Sequence, residues 1–241
     1  MRADLEGFLA QTGGARGVVC VAPHPDDESA GCGGLLAGCA RSGVPVRVVV
    51  ATDGAASHRS RAWPPQRLAA LRRAELIDAL RDLGIAAPPV FLGLADASRG
   101  EPTAERAATA RLGEVLRRDR PGLVLVTWRR EPHGDHRRAA RLVEGAMRTA
   151  CFEATVAEYL VWTPITGRRG DQPRRGEGRV IDLTLSAADR AAKRAALARH
   201  RSQRGLVIRD DPDGFSLRAA EIAAMTGATE RYVVTRPHRV I

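Results

Sequence analysis

The chain has 241 residues, which is long enough to bury a substantial hydrophobic core and is a common length for a single α/β domain. Its formal net charge of +10 comes from arginines spread along the chain, and aromatic residues make up only 4% of the residues. This composition disfavours nucleic-acid binding. An anionic substrate, such as a phosphorylated or nucleotide-linked sugar, is the alternative explanation of the charge. No apolar run approaches the roughly 20 residues of a membrane span, and none resembles a signal peptide. The four cysteines have no C-x-x-C spacing, which favours buried, reduced thiols. We therefore expect a cytoplasmic protein.

Short β-branched runs alternate with longer helical patterns over the first part of the chain. The runs predict strands at 17–22, 44–52, 88–94 and 122–128, and the helical patterns lie at about 29–42, 65–83, 103–119 and 136–150. Strand and helix in alternation predict an α/β fold with a Rossmann-like, mostly parallel sheet and helices on both of its faces.

The C-terminal third, 151–241, is less regular. Its candidate strands lie at 154–163, 178–183 and 231–234, and its candidate helices at about 187–199 and 216–225. The arginine-rich segment 167–178 has no apolar residue to anchor it, which is typical of a mobile loop. Because no linker divides the chain, we expect a single domain over 1–241, with its core at about 17–150 and a C-terminal third that completes the site and influences specificity.

Histidines and carboxylates follow three of the predicted strands. HPDDE (24–28) follows the first strand, TDG (52–54) the second, and EPHGDH (131–136) the fourth. Ligands of an open parallel sheet bind beyond the carboxyl ends of its strands. The sequence therefore predicts a site rich in imidazoles and carboxylates at this edge of the sheet.

The glycines in CVAPHPDDESAGCGG (20–34) suggest either a phosphate-binding loop or a helix beside a metal site. The dinucleotide fingerprint G-x-G-x-x-G needs a glycine at position 36, where the chain has Leu36, and the three acids before the glycines would repel a pyrophosphate. We therefore interpret the glycines as residues that let the helix pack tightly on the sheet. The residue types fit zinc instead, with His24, His136 and one carboxylate as ligands and a neighbouring aspartate facing the bound water.

Three motifs together resemble the PIG-L/LmbE-like family of zinc-dependent N-deacetylases. They are APHPDDE before a helix of small residues, RRAELIDALRDLG, and EPHGDH entering a helix. The resemblance covers most of 17–150, and beyond it matches chiefly through HRSQ at 200–203. It implies a hydrolase that removes an N-acetyl or other N-acyl group from a small amino-sugar substrate and uses Zn²⁺, or Fe²⁺ in its place.

The resemblance also implies roles for individual residues. The implied zinc ligands are His24, Asp27 and His136. Asp26 is the implied general base, which takes a proton from the attacking water and returns it to the departing amine. His133 is the implied oxyanion stabiliser, acting as a protonated imidazole.

Asp135 and Arg72 stand where the family has a carboxylate that orients this imidazole and a substrate-binding arginine. Arg72 also forms an R-x-x-E pair with Glu75, and a surface ion pair between the two is the alternative interpretation. Gly134 and Glu131 replace the proline and aspartate that are common in the family, and these departures affect only the positioning of the imidazole.

Several further residues have open interpretations. Asp53 is a turn residue or a partner of the metal ligands, and His58 is solvated or reaches the substrate from its loop. His200 lies near the end of a predicted helix, where it is expected to interact favourably with the helix dipole. His238 is expected at the surface close to the chain end.

Two rival functions stay open at this stage. One is an amidase that acts on a larger thiol-conjugated or lipid-linked amide. The other, from a different class, is a basic nucleic-acid-binding protein with an inactive metal site. Specificity is expected in the loops at 53–66 and 94–103 and in the C-terminal third, and the sequence predicts no oligomeric state.

Overall fold

A mixed sheet of eight strands forms the centre of the computed structural model, which describes residues 1–98 and 100–235. The strands are β1 (Arg2–Ala3), β2 (Val18–Ala22), β3 (Val46–Thr52), β4 (Val90–Leu94), β5 (Leu123–Thr127), β6 (Thr155–Tyr159), β7 (Arg179–Thr184) and β8 (Thr229–Thr235). Their order across the sheet is β1-β7-β8-β6-β5-β2-β3-β4. Strand β8 is antiparallel to β6 and β7, and the other neighbouring strands are parallel. The predicted Rossmann-like, mostly parallel sheet is therefore confirmed.

Helices cover both faces of this sheet. They are α1 (Leu5–Thr12), α2 (Asp27–Arg41), α3 (Pro65–Asp82), α4 (Pro102–Asp119), α5 (Gly134–Thr149), α6 (Thr163–Thr166), α7 (Ala187–Arg199) and α8 (Ala219–Met225), with 3₁₀ turns at Gly14–Arg16 and Arg201–Arg204. Helices α2, α3 and α7 pack on one face, and α4 and α5 pack on the other. Within the described ranges, no helix has the length and apolar character needed to cross a membrane.

The central strands β2 and β5 are buried on both faces, which explains why their sequences are continuously apolar. Every residue in these two strands is buried, because helices cover both faces of the sheet. Leu76 and Leu80 of α3 belong to the core on one face, and Leu112 and Leu142 belong to the core on the other. Each fully buried leucine contributes about 1.5–3 kcal/mol to the stability that holds the strand ends in register.

The chain order reverses at the carboxyl ends of β2 and β5. Strands β3 and β4 extend the sheet on one side of β2, whereas β5 and β6 extend it on the other. Such a switch point opens a crevice where α/β proteins bind ligands. The segments 24–28 and 131–136 follow β2 and β5, so the topology brings the two predicted motifs together at this crevice.

The small residues of α2 allow this helix to pack closely on its neighbours. A β-carbon at Gly31 would lie 2.2 Å from Cδ2 of Tyr159, and one at Gly34 would lie 2.5 Å from Cδ1 of Leu185. A larger side chain at either position would push the helix away from these neighbours. The packing role predicted for the glycines is therefore confirmed.

Two segments differ from the sequence prediction. The strand predicted at 154–163 ends at Tyr159, because Glu131 accepts hydrogen bonds from the backbone N–H groups of 161–163 and turns the chain into α6. Strand β1, of two residues, and helix α1, of eight residues, were not predicted, since such short elements carry little periodic pattern.

The arginine-rich segment 167–178 forms neither helix nor strand, as predicted. Hydrogen bonds nevertheless attach it to the end of β5. Trp128 Nε1 donates to the carbonyl oxygen of Asp171 at 2.7 Å, and the guanidinium of Arg130 lies 2.8 Å from the carboxylate of Glu177. The expected mobility of this loop therefore stays a prediction.

Candidate active site

The turn between β2 and α2 places two aspartates side by side. Asp26 has φ +147° and ψ −28°, a conformation that residues with a β-carbon rarely adopt. Its N–H donates to Glu28 Oε2 at 3.0 Å, and Thr52 donates to Pro23 O through its N–H at 2.9 Å and its hydroxyl at 3.0 Å. Strain of this kind persists where the surroundings enforce it, and here it sends the carboxylates of Asp26 and Asp27 to different neighbours.

Asp27 lies between two imidazoles. Its Oδ2 is 3.0 Å from His24 Nδ1, and its Oδ1 is 3.3 Å from His136 Nε2. The two oxygens of Asp27 therefore bridge the two imidazoles, which are residue types that bind zinc. Burial alone would lower the pKa of His136, but the carboxylates of Asp27 and Glu131 outweigh it and raise the value to about 9. Burial of His24 is likewise outweighed by Asp135 and Asp27, which raise its pKa well above the ordinary value.

His133 completes a cluster of three imidazoles. Ring nitrogens of His24, His133 and His136 all lie within 4.8 Å of one another. His133 is the N-cap of α5, and its Nδ1 accepts a hydrogen bond from the N–H of Asp135 at 3.2 Å. Burial and the neighbouring His24 and His136 lower the pKa of His133. Imidazole and carboxylate donors suit zinc and similar ions, so the residues present fit a metal site.

Two outer carboxylates hold the candidate ligands. Asp96 Oδ1 lies 3.1 Å from His24 Nε2, and Glu131 Oε2 lies 3.3 Å from His136 Nδ1. Glu131 is fully buried and also accepts the three N–H groups of 161–163, which ties β6 to the site. Carboxylates in such positions fix the orientation of metal-binding imidazoles.

Sequence reasoning missed Asp96, although a signal was present. Asp96 follows β4, and the same inspection of strand ends that found 24–28 and 131–136 would have found it there. Asp53, at the end of β3, accepts hydrogen bonds from Ala55 N at 3.0 Å and Asp96 N at 3.2 Å. Asp53 is therefore both a turn residue and a support for the Asp96 segment.

Arg72 contacts Asp26 inside the protein. Its Nη2 is 3.1 Å from Asp26 Oδ2 and donates to the carbonyl oxygen of Pro25 at 3.0 Å, and its Nη1 donates to the carbonyl oxygen of Gly54 at 2.7 Å. Burial raises the pKa of Asp26 to about 6, although Arg72 opposes the rise. The alternative of a surface ion pair with Glu75 is wrong, because both side chains are buried and Glu75 binds another residue.

Asp135 contacts groups other than the His133 ring. Its nearest oxygen lies 3.9 Å from His133 Nδ1, beyond hydrogen-bond range, because the N–H of Asp135 already occupies that nitrogen. Its carboxylate accepts hydrogen bonds from Ala97 N at 3.0 Å and Arg138 Nη1 at 3.3 Å. Burial raises its pKa, but His24 and Arg138 together with the Ala97 N–H hold it well below the ordinary value.

The remaining histidines lie in buried or undescribed parts of the chain. His200 is the C-cap of α7 and is fully buried. Its Nε2 lies 3.2 Å from Glu28 Oε1, so it contacts a buried carboxylate in addition to the helix end. His58 is also buried, with Nδ1 3.0 Å from Ser57 Oγ, so the solvated alternative is wrong. His238 lies outside the described residues.

A cavity of about 270 Å³ opens onto the imidazole cluster. Asp26 and the three imidazoles line it, together with Trp162, Gln203 and Phe215 from the C-terminal third. The rings of Trp162 and Phe215 meet edge to face, with centroids 5.9 Å apart. A larger cavity of about 380 Å³ lies at the opposite edge of the sheet, but it has no imidazole in its lining. The smaller cavity is therefore the candidate site.

Comparison with known proteins finds relatives that match most of the chain. At 30% identity the chain is similar to 1D-myo-inositol 2-acetamido-2-deoxy-alpha-D-glucopyranoside deacetylase 2 of Saccharopolyspora erythraea, over 90% of this chain and 92% of the relative. A protein of the same name, without the number, from Nocardia farcinica is also 30% identical, over 92% of this chain and 91% of the relative.

A solved structure has the same fold. The N,N'-diacetylchitobiose deacetylase from Pyrococcus horikoshii matches with a TM-score of 0.68 at 21% identity, over 97% of this chain and 87% of that chain. Residues 19–147, more than half of the chain, match the protein family described as PIG-L, GlcNAc-PI de-N-acetylase. Together with the two relatives, this match shows that the chain belongs to the PIG-L family.

Proposed function

We propose that this protein is a metal-dependent N-deacetylase that hydrolyses the acetamido group of a small amino-sugar substrate. One observation carries the proposal: the buried carboxylate of Asp26, with a pKa near 6, lines the same cavity as the imidazole cluster. The relatives in Saccharopolyspora and Nocardia are named as deacetylases of a 2-acetamido-2-deoxyglucopyranoside, which carries the amide that we propose here. A 2-acetamido glycoside is therefore the first substrate class to test.

In this proposal His24, Asp27 and His136 hold the metal ion. Their imidazole and carboxylate donors suit Zn²⁺ and also Fe²⁺. A divalent ion bound there would supply Lewis acidity toward the amide carbonyl and lower the pKa of coordinated water. Asp96 and Glu131 keep the two imidazoles oriented, through the 3.1 Å and 3.3 Å contacts.

Asp26 serves as the general base in the proposed reaction. A carboxylate with a pKa of about 6 is largely ionised at neutral pH, yet it is basic enough to take a proton from the attacking water. The same carboxyl then returns that proton to the departing nitrogen as the C–N bond breaks. The products are a free amine on the sugar and acetate.

His133 stabilises the oxyanion in this proposal, as a neutral imidazole in place of the protonated one expected from sequence. Its Nδ1 accepts a backbone N–H, so the ring proton sits on Nε2 and is free to donate. Burial and the neighbouring His24 and His136 also lower its pKa. A single donor to a developing oxyanion is worth about 3–4 kcal/mol in other enzymes.

For Arg72 we propose a role other than the substrate binding that the resemblance implies. Its two terminal nitrogens are occupied by Asp26, Pro25 and Gly54, so we propose that it chiefly positions the base. Among the described residues its Nε has no hydrogen-bond partner, and Arg72 lines the cavity. A secondary contact to substrate is compatible with this arrangement.

We also propose that the protein acts in the cytoplasm. Cys20 and Cys32 are free thiols although their sulfur atoms are only 3.5 Å apart, which is typical of a reducing compartment. Cys39 is buried as predicted, whereas Cys151, also predicted to be buried, is exposed.

The proposed function is tested by amine release. The protein, loaded with Zn²⁺ or with Fe²⁺, is incubated with 2-acetamido glycosides of glucosamine, including an inositol glycoside and diacetylchitobiose, and free amine is measured with a fluorogenic reagent. We expect release by the parent protein and by Asp78→Asn, a surface variant in α3. We expect almost none from Asp26→Asn. Failure of the parent to release amine from every glycoside with either metal would contradict the proposal.

A further inference from the structure

Gln203 lies in the 3₁₀ turn after α7 and reaches the cavity from the C-terminal third. Its side chain is fully buried and lines the cavity beside Asp26. Within the described ranges, Gln203 Oε1 accepts no hydrogen bond. A buried carbonyl oxygen without a donor is costly, so a partner from outside the chain is the natural explanation for its position.

The hydrogen bonds around Gln203 fix the direction of its amide. Ser202 Oγ donates its one proton to Glu75 Oε2 at 2.6 Å, and Ser202 N donates to Glu75 Oε1 at 2.8 Å. Ser202 Oγ can therefore only accept from Gln203, whose Nε2 lies 2.9 Å away and is also 3.4 Å from Ser57 Oγ. A flipped amide would place two acceptors against each other. The donor end of the amide is used within the protein, and the acceptor end is left over.

Three segments cooperate to create this single acceptor. Glu75 comes from α3, Ser202 and Gln203 come from the turn after α7, and Ser57 comes from the loop after β3. The contact between Glu75 and Ser202 is buried, so the carboxylate holds the hydroxyl without competition from water. Helix α3 thus supplies both Arg72, which contacts Asp26, and Glu75, which holds Gln203 through Ser202.

We propose that Gln203 Oε1 is a substrate-binding acceptor, which takes a hydrogen bond from a donor of the acetamido sugar. The donor is a ring hydroxyl or the amide N–H, which share the chemistry of a neutral hydrogen-bond donor. This inference rests on the proposed function and adds a specificity-determining residue to it. A site that pairs a buried acceptor with a substrate donor discriminates against analogues that lack the donor.

The test compares substrates that differ by one donor. The series contains the parent 2-acetamido glycoside, its 3-, 4- and 6-deoxy analogues, and the N-methylacetamide, which lacks the amide N–H. Values of kcat/KM are measured for the parent protein, for Gln203→Met, which keeps the side-chain length without a hydrogen-bonding group, and for Gln11→Met, an exposed glutamine in α1. Melting temperatures confirm that each variant is folded.

We expect the parent protein and Gln11→Met to disfavour one analogue by about 10–100-fold, because that analogue leaves Oε1 unpaired. In Gln203→Met the same ratio should fall to about 3-fold or less, since no acceptor is left to discriminate. The analogue whose ratio collapses identifies the donor. Ser202→Ala, which frees the amide to rotate, should reduce the ratio part of the way.

Two results would overturn the inference, and they differ from failure of the function itself. If folded Gln203→Met keeps the parent ratios for every analogue, Oε1 receives no substrate donor. If it loses activity equally on all substrates, Gln203 has only a structural role. If the parent protein releases amine from no acetamido sugar at all, the proposed function fails, and the substrate contact fails with it.

Discussion

The guanidinium of Arg72 lies 3.1 Å from the carboxylate of Asp26, and both residues are buried and line the cavity. Burial raises the pKa of Asp26, and Arg72 is the group that most opposes the rise. Arg72 therefore influences both the orientation of the Asp26 carboxylate and its pKa. Neither property can be read from the spacing of the two residues in the sequence.

Removing Arg72 should shift the pH dependence of the reaction. In Arg72→Met the pKa of Asp26 rises, so the base is protonated at a higher pH, and the acidic limb of kcat/KM moves upward in pH. Arg72→Lys keeps a charge but loses the fork of hydrogen bonds, and it should recover part of the shift. Arg73→Met, whose guanidinium packs over the Phe91 ring at 4.0 Å, is the control. An acidic limb that stays in place would contradict the account.

Glu131→Ala should destabilise the protein strongly. It leaves the N–H groups of 161–163 and the Nδ1 of His136 without their acceptor, at a cost of about 3–5 kcal/mol in the free energy of unfolding. Glu131→Gln keeps an acceptor and should fold, with metal affinity reduced about 10–100-fold. Urea unfolding and metal titration measure the two effects, with the exposed Glu153→Gln as control. Unchanged metal affinity in Glu131→Gln would contradict the role of the outer carboxylate.

His133→Ala should lower kcat by about 10²–10³-fold and leave metal content unchanged, because the ring acts on the oxyanion. The ring also caps α5, so part of any loss of stability comes from the helix end. His133→Asn retains a capping side chain with an N–H donor and should be more active than the alanine variant. Loss of bound metal in His133→Ala would instead make this residue a ligand.

His200 gives the metal-free protein a pH-dependent contribution to stability. Burial lowers the pKa of His200, but Glu28 more than compensates, so the folded-state pKa lies above that of the unfolded chain. The stabilisation is therefore fully present below about pH 6.5 and is lost as the pH rises through the folded pKa. We expect the difference in Tm between the parent and His200→Gln to be constant below about pH 6.5 and to shrink as the pH rises above it. A difference that grows with pH would reverse the sign of this contribution.

The sequence predicted the sheet and the two histidine motifs because both depend on local patterns. Strands β2 and β5 are buried on both faces, so their runs are continuously apolar, and the polar residues that follow mark the strand ends. His24 and His136 are brought together by topology, since β2 and β5 are parallel neighbours in the sheet and their carboxyl ends lie at the same edge.

The contacts that complete the site could not be predicted in the same way. Gln203 reaches Ser57 across 146 positions of the chain, and Glu75 reaches Ser202 across 127. Such contacts depend on how α3, α7 and the loops pack, which no periodic pattern records. Asp96 is the exception, because the rule that located the other residues also applied to the end of β4.

The central claim is that the buried base and a bound metal ion act together on an acetamido sugar. The most direct measurement is metal content by elemental analysis, run in parallel with amine release, for the parent protein, Asp26→Asn and His136→Ala. The account predicts about one ion per chain in the parent and in Asp26→Asn, with amine release lost by about 10²-fold or more in the latter, and loss of both metal and activity in His136→Ala. Amine release that persists in the metal-free parent, or at the parent rate in Asp26→Asn, would contradict it.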